Sequence, residues 1–212
     1  LYSRQIASVG IETMKRITKL KILIIGMRGL GIEVAKNIIL QGAEKVSIYD
    51  SSIAMEEDLG TNFYLDEKDI GKKRRDEAVL EKLQKLNDYV TVNCLSSYNE
   101  IEEIYDIISE YTILIVTRLL YKSNAIILND LCRKNRIKFI YSSSNGLFSF
   151  IFNDFGKEHI IYEEHDCELS KYYIKNIIKG KKTIVQIEES KEVIYDEMII
   201  NFRNIEGMTE LN

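Results

Sequence analysis

The stretch KILIIGMRGLGIEVAKNIILQGAEKVSIYD, residues 21–50, limits the possible folds more than any other part of the chain. Its first six residues are a β-branched apolar run ending in glycine, the pattern of a strand covered on both faces. From Gly29 to Gly42, Leu30, Val34, Ile38 and Ile39 recur at helical spacing with Glu33, Lys36, Asn37 and Gln41 opposite, which predicts an amphipathic helix closed by Gly42. KVSIYD, residues 45–50, reads as a second strand. Strand, helix and strand within about 30 residues make a right-handed βαβ crossover, a unit that joins parallel strands.

The alternation continues with helices expected over 72–87, 99–109 and 121–135 and strands over 90–95, 112–117 and 137–143. Helices alternating with buried strands predict an α/β fold, a Rossmann-like doubly wound and mainly parallel sheet. GLFSFIFND and KEHIIYEEH predict a β-hairpin turning around DFGKE, residues 154–158, on the sheet edge. From about residue 166 the helical period weakens, and KTIVQIEES and EVIYDEMIINFRNIEG read as strands of a small, partial β domain. The expected domains are therefore 1–162 and 163–212, and the lack of a closing element after MTELN suggests a fragment of a longer chain.

Composition narrows the function. A length of 212 residues suffices for one α/β domain plus a smaller unit, and 45% hydrophobic with 29% charged residues is ordinary for a globular chain. No apolar run approaches a membrane span and LYSRQIASVG lacks a secretory layout, so a cytoplasmic or nuclear chain without membrane partners is expected. A net charge of -4 and a pI near 5.4 argue against nucleic acid as a partner. The basic run KDIGKKRR, residues 68–75, is followed directly by DEAVLEKLQKLND, so it opens a charged amphipathic helix and reads as a solvated face. Cys94, Cys132 and Cys167 are widely scattered and odd in number, which favours reduced thiols over a disulfide framework. With only His159 and His165 available, no metal site is expected.

In a dinucleotide fingerprint G-x-G-x-x-G the first glycine makes the turn, the second admits the pyrophosphate and the third lets helix and strand pack closely. Those positions are Gly26, Arg28 and Gly31, with Gly29 supplying extra backbone freedom. Asp50 stands where a ribose-binding carboxylate would be. Arg28 either clamps a phosphate or marks a loop that has lost its nucleotide, and the second reading is favoured because a blocked loop is easier to make than a rebuilt one.

YSRQ at 2–5, GMRGLG at 26–31, TNFYLDEKDIGKKR at 61–74, KLNDYV at 85–90, FNDFG at 152–156 and FRNIEGMTELN at 202–212 occur in this order. Together they resemble the N-terminal part of the ubiquitin-activating enzyme family, from one end of the chain to the other. The resemblance implies an inactive adenylation half followed by part of the first catalytic cysteine half-domain. It also implies that ATP and Mg²⁺ are bound by an active half outside this chain, with no cofactor in the fragment itself. Ubiquitin, conjugating enzymes and the active half of the same protein are the implied partners.

The departures from an active half are concerted. Arg28 replaces the second glycine, and Thr61 and Asn62 in DLGTN stand where an Arg and a Gln would bind ATP phosphates and orient the acyl carboxylate. Arg74 replaces a lysine, and Arg118 replaces the aspartate that would hold Mg²⁺. Losing these charges removes the electrostatic support for attack on the α-phosphate. No catalytic residue is expected here. Arg4 matches an arginine that reaches the ATP phosphates of the other half in trans, as an arginine finger does. Its alternative is an exposed, mobile arginine, and Tyr2 and Gln5 read as structural neighbours. None of the three cysteines matches the thioester-forming cysteine. Cys94 and Cys132 are expected as small hydrophobes and Cys167 as an exposed thiol.

The expected function is the scaffold half of an enzyme that adenylates the ubiquitin C-terminus, forms a thioester and passes it to conjugating enzymes. Three rivals remain. One is an activating subunit for another modifier, of the SUMO type; another is an NAD-dependent Rossmann oxidoreductase; the third is an inert interaction module that needs no active half.

Overall fold

A computed structural model describes residues 2–98, 101–160, 172–180, 182–188, 200 and 202–205. Strands β1 (Lys21–Ile25), β2 (Lys45–Tyr49), β3 (Thr91–Cys94), β4 (Ile113–Val116) and β5 (Lys138–Asn145) run parallel, and β6 (Phe148–Asp154) lies antiparallel to β5. The spatial order is β3-β2-β1-β4-β5-β6. The expected doubly wound, mainly parallel sheet is thus what forms.

The β-branched runs explain the centre of the sheet. On β1, Ile22 and Ile24 pack on one face while Leu23 and Ile25 pack on the other, and all four are buried. Helices α3 (Gly29–Gln41) and α4 (Arg75–Gln84) cover the first face through Ile32, Ala35, Ile39, Val79 and Leu83. The second face is covered by a 3₁₀ helix, Ile101–Glu110, and by α5 (Lys122–Asn135), which contribute Ile104, Ile108, Leu128 and Cys132. Burial on both faces accounts for strands that are apolar throughout rather than alternating.

The N-terminal segment, to which the sequence reading assigns no element, forms α1 (Ser3–Val9) and α2 (Ile11–Ile17). Two expectations change. The helix expected over 99–109 is a 3₁₀ helix. The edge hairpin turns at Gly146 and Leu147, between β5 and β6, and not around DFGKE. Gly146 takes φ of +62°, a conformation open to glycine at little cost, and Asn-Gly is a strong hairpin signal. Residues 155–160 form no strand.

The chain divides into two compact units, 1–160 and 161–212. In the second unit β7 (Ile174–Ile178) pairs antiparallel with β8 (Ile184–Ile187), a small second sheet. Cys167, His165 and most of the strand read over 192–207 lie outside the described residues. No helix among the described residues is long and apolar enough to cross a membrane.

Candidate functional site

The strand order reverses between β1 and β4, and a doubly wound sheet binds its ligands at the carboxyl ends of the strands beside such a point. Gly26, which ends β1 there, takes φ of +102°. A Cβ on it would stand 2.8 Å from Thr117 Oγ1 and 2.9 Å from the Arg118 backbone nitrogen. On Gly31 a Cβ would stand 1.8 Å from the Gly26 carbonyl oxygen, so no side chain fits where helix meets loop. The Thr117 hydroxyl donates to that carbonyl at 2.8 Å. The turn and packing glycines keep the roles the fingerprint assigns them.

The middle of the loop differs. Arg28 Nε lies 3.2 Å from Asp58 Oδ1, and an Nη lies 3.5 Å from Glu57. Gly29 serves close approach rather than freedom of the backbone: a Cβ there would stand 2.9 Å from Cβ of Thr61. Asn62 is buried, its Nδ2 donating to the Met27 carbonyl at 3.2 Å and its Oδ1 accepting from the Tyr64 amide. The connection after β2 therefore lies against the loop, with Thr61 on the start of α3 and Asn62 on the turn.

Asp50 follows β2, as the ribose position requires, yet its carboxylate is committed. Oδ2 accepts from the Met27 amide at 2.9 Å and Oδ1 accepts from Ser52 at 3.1 Å. Arg75 joins the two acids: its Nε donates to Asp58 Oδ2 at 2.6 Å and an Nη lies 3.7 Å from Asp50. Asp58 Oδ2 also accepts from the Met55 amide at 2.9 Å. Arg75, Asp50 and Asp58 are all buried, where a charge is tolerated only when paired and hydrogen-bonded.

Arg74, at the lysine position, uses its donors on neighbours. Nε and one Nη form a two-point pair with Asp76 at 3.1 and 2.8 Å, and the other Nη donates to the carbonyls of Ser96 and Tyr98. Asp76 in turn accepts from the Asp50 amide. Arg118 is half-buried at the end of β4 without a carboxylate partner among the described residues. Arg4 is exposed on α1, with no side-chain ion pair or hydrogen bond among the described residues. The structure thus gathers Gly26, Arg28, Gly31, Asp50, Thr61 and Asn62 into one site, with Arg74 beside it, and leaves Arg4 outside.

Two residues at the centre are missed by the sequence reading: Asp58 is not singled out, and Arg75 is read within KDIGKKRR as part of a solvated face, whereas it is buried, as is Arg74. Neither sits in an apolar periodic pattern. The available signal was the pair Arg74 and Arg75 opening a helix directly before Asp76, since a helix start attracts acids and tolerates cations poorly.

Residues 2–192 match the ThiF family. The chain belongs to that family. Among ThiF relatives, it is 32% identical over 213 residues to ubiquitin-like modifier-activating enzyme 1 of Dictyostelium discoideum, covering 100% of this chain and 20% of that protein. It is 36% identical over 217 residues to ubiquitin-like modifier-activating enzyme 6 of Homo sapiens, again covering 100% of this chain and 20% of that protein. The chain therefore spans about a fifth of the length of the curated relatives it matches. E. coli MccB, solved with succinimide, shares the fold at a TM-score of 0.59 and 19% identity, over 67% of this chain and 44% of that one.

Proposed function

We propose that this ThiF domain is the non-catalytic adenylation half of a ubiquitin-activating enzyme. The observation that carries the proposal is the commitment of Arg28, Asp50, Thr61 and Asn62 to one another's neighbourhoods instead of to an open phosphate cradle. A nucleotide placed here would have to displace Arg28 from Asp58 and Thr61 from the start of α3, and would find the ribose acid already bonded. The site does not fit ATP.

On this reading ATP and Mg²⁺ bind in an active half elsewhere in the protein, which adenylates ubiquitin and, through a cysteine outside this chain, hands it to conjugating enzymes. This chain supplies a scaffold, a surface for the active half, and Arg4, which reaches the ATP phosphates in trans and neutralises their charge. The protein works in the cytoplasm and nucleus. An NAD enzyme is disfavoured by the same committed Asp50, since its fingerprint needs that carboxylate free for the ribose hydroxyls.

ATP–pyrophosphate exchange with ubiquitin tests the proposal. The chain alone should give no exchange above blank, and the intact enzyme should lose exchange when Arg4 is changed to Ala. Exchange catalysed by the chain alone would overturn the reading.

A further inference from the structure

Helix α1 contains no buried residue, and seven residues are far fewer than the ~12–15 an isolated helix needs in water. Something outside the helix must hold it in place. The residue before it does so. The Tyr2 hydroxyl accepts from Asn87 Nδ2 at 2.9 Å, and that nitrogen also donates to the Ile39 carbonyl at 2.9 Å. The Tyr2 ring lies on Gly42, where a Cβ would stand 2.6 Å from the hydroxyl oxygen, and meets Tyr89 edge-on at 6.5 Å between centroids. Asn87 Oδ1 accepts from the Tyr89 amide, so the socket is itself cross-braced.

The socket is joined directly to the first turn of α1. The Tyr2 carbonyl accepts from the Ile6 amide at 2.9 Å, and Arg4 lies within the turn that this bond closes. Gln5 adds only a long contact of 3.5 Å to Gln41. Gly42 ends α3 with φ of +89°, and the same missing side chain that permits this conformation also makes room for Tyr2.

We propose that Tyr2 is a positioning residue for Arg4. Seated between Gly42, Asn87 and Tyr89, it fixes the start of α1 and hence the direction from which Arg4 extends. This rests on the reading of Arg4 as acting on the active half. An arginine held in place gives charge stabilisation without the cost of ordering a loose segment, and misplacement by about 1 Å can cost ~100-fold in rate.

The test is a set of variants of the intact enzyme in ATP–pyrophosphate exchange. Tyr2→Ala should lower kcat by about 10-fold with little change in the KM for ubiquitin, in the same direction as Arg4→Ala. The double variant should be no slower than Arg4→Ala alone, because Tyr2 acts through Arg4. Tyr2→Phe, which keeps the ring while Asn87 retains Ile39, should recover most of the rate. If Tyr2→Ala does not fold, Tyr2→Leu carries the same comparison. Losses that multiply in the double variant would show a general structural role and overturn the proposal. An impaired Arg4→Ala enzyme beside a normal Tyr2→Ala enzyme overturns it while leaving the Arg4 reading intact. A silent Arg4→Ala removes the reading of Arg4, and the role of Tyr2 with it.

Discussion

Arg28 directs its guanidinium to Asp58, with Nε 3.2 Å from a carboxylate oxygen, at the loop position where a dinucleotide enzyme keeps a bare glycine. The side chain at the position of phosphate approach is therefore held by an acid from the next connection. Arg28 is 58% exposed while Asp58 is only 3% exposed, so the pair bridges solvent and core. Arg75 completes it from beneath.

Arg75→Met should be the most costly substitution in this network. It leaves the buried Asp50 without a cation and Asp58 with only the half-exposed Arg28, a loss of about 3–5 kcal/mol. Arg28→Ala removes a half-exposed partner and should cost less than about 1 kcal/mol. Urea unfolding of the two variants checks the order, and equal midpoints would contradict the placement of Arg75 as the buried hub.

Restoring glycine at position 28 should not restore a nucleotide site. Thr61 still lies against Gly29, Asn62 still holds the Met27 carbonyl, and Asp50 is still bonded to Met27 and Ser52. Calorimetric titration of Arg28→Gly with MgATP should show no saturable heat. Tight binding by this single variant would mean that the arginine alone closes the site.

The parts of the fold legible in the sequence are those whose burial is regular. The runs of β1, β2 and β4 are covered on both faces, so their buried residues are apolar but for Ser47, which bonds to Asn93 instead, and α3 carries a complete helical stripe closed by Gly42. Helix α1 was not legible because it buries nothing, and propensity alone gives no amphipathic signal. The edge turn was misplaced because Gly156 in DFGKE resembles a turn as strongly as Gly146 does. Gly156 instead donates its amide to Asp154, which ends β6. At the site, Arg28 and Asp50 were visible through the spacing of the loop. Asp58 and Arg75 were not, because a pair formed across 17 residues of irregular chain leaves no periodic trace.

Cys132 should resist thiol reagents. Burial pushes its thiol up to about 12, so at pH 8 only about one molecule in 10,000 carries the thiolate that reacts. Iodoacetamide labelling read by peptide mass spectrometry should leave Cys132 unmodified in the native chain and modify it in urea. Native labelling at the rate of a free thiol would contradict its place on the buried face of α5.

The edge strand carries an acid-sensitive contact. The hydrogen bond from Arg133, with Gly156 also donating, holds the Asp154 carboxyl below the usual carboxylate range. A depressed folded value stabilises above the unfolded value of about 3.9, and this contribution is lost as pH falls through the folded value. Asp154→Asn should therefore be clearly less stable than the parent at pH 7, with the gap closing as the pH drops below about 4. A gap independent of pH would assign the loss to shape and not to charge.

The central claim is that the loop is filled by the chain's own side chains, and titration of the unaltered chain with MgATP tests it most directly. The account predicts no saturable heat up to millimolar nucleotide. Stoichiometric binding that is abolished by changing Asp50 to Ala would contradict it.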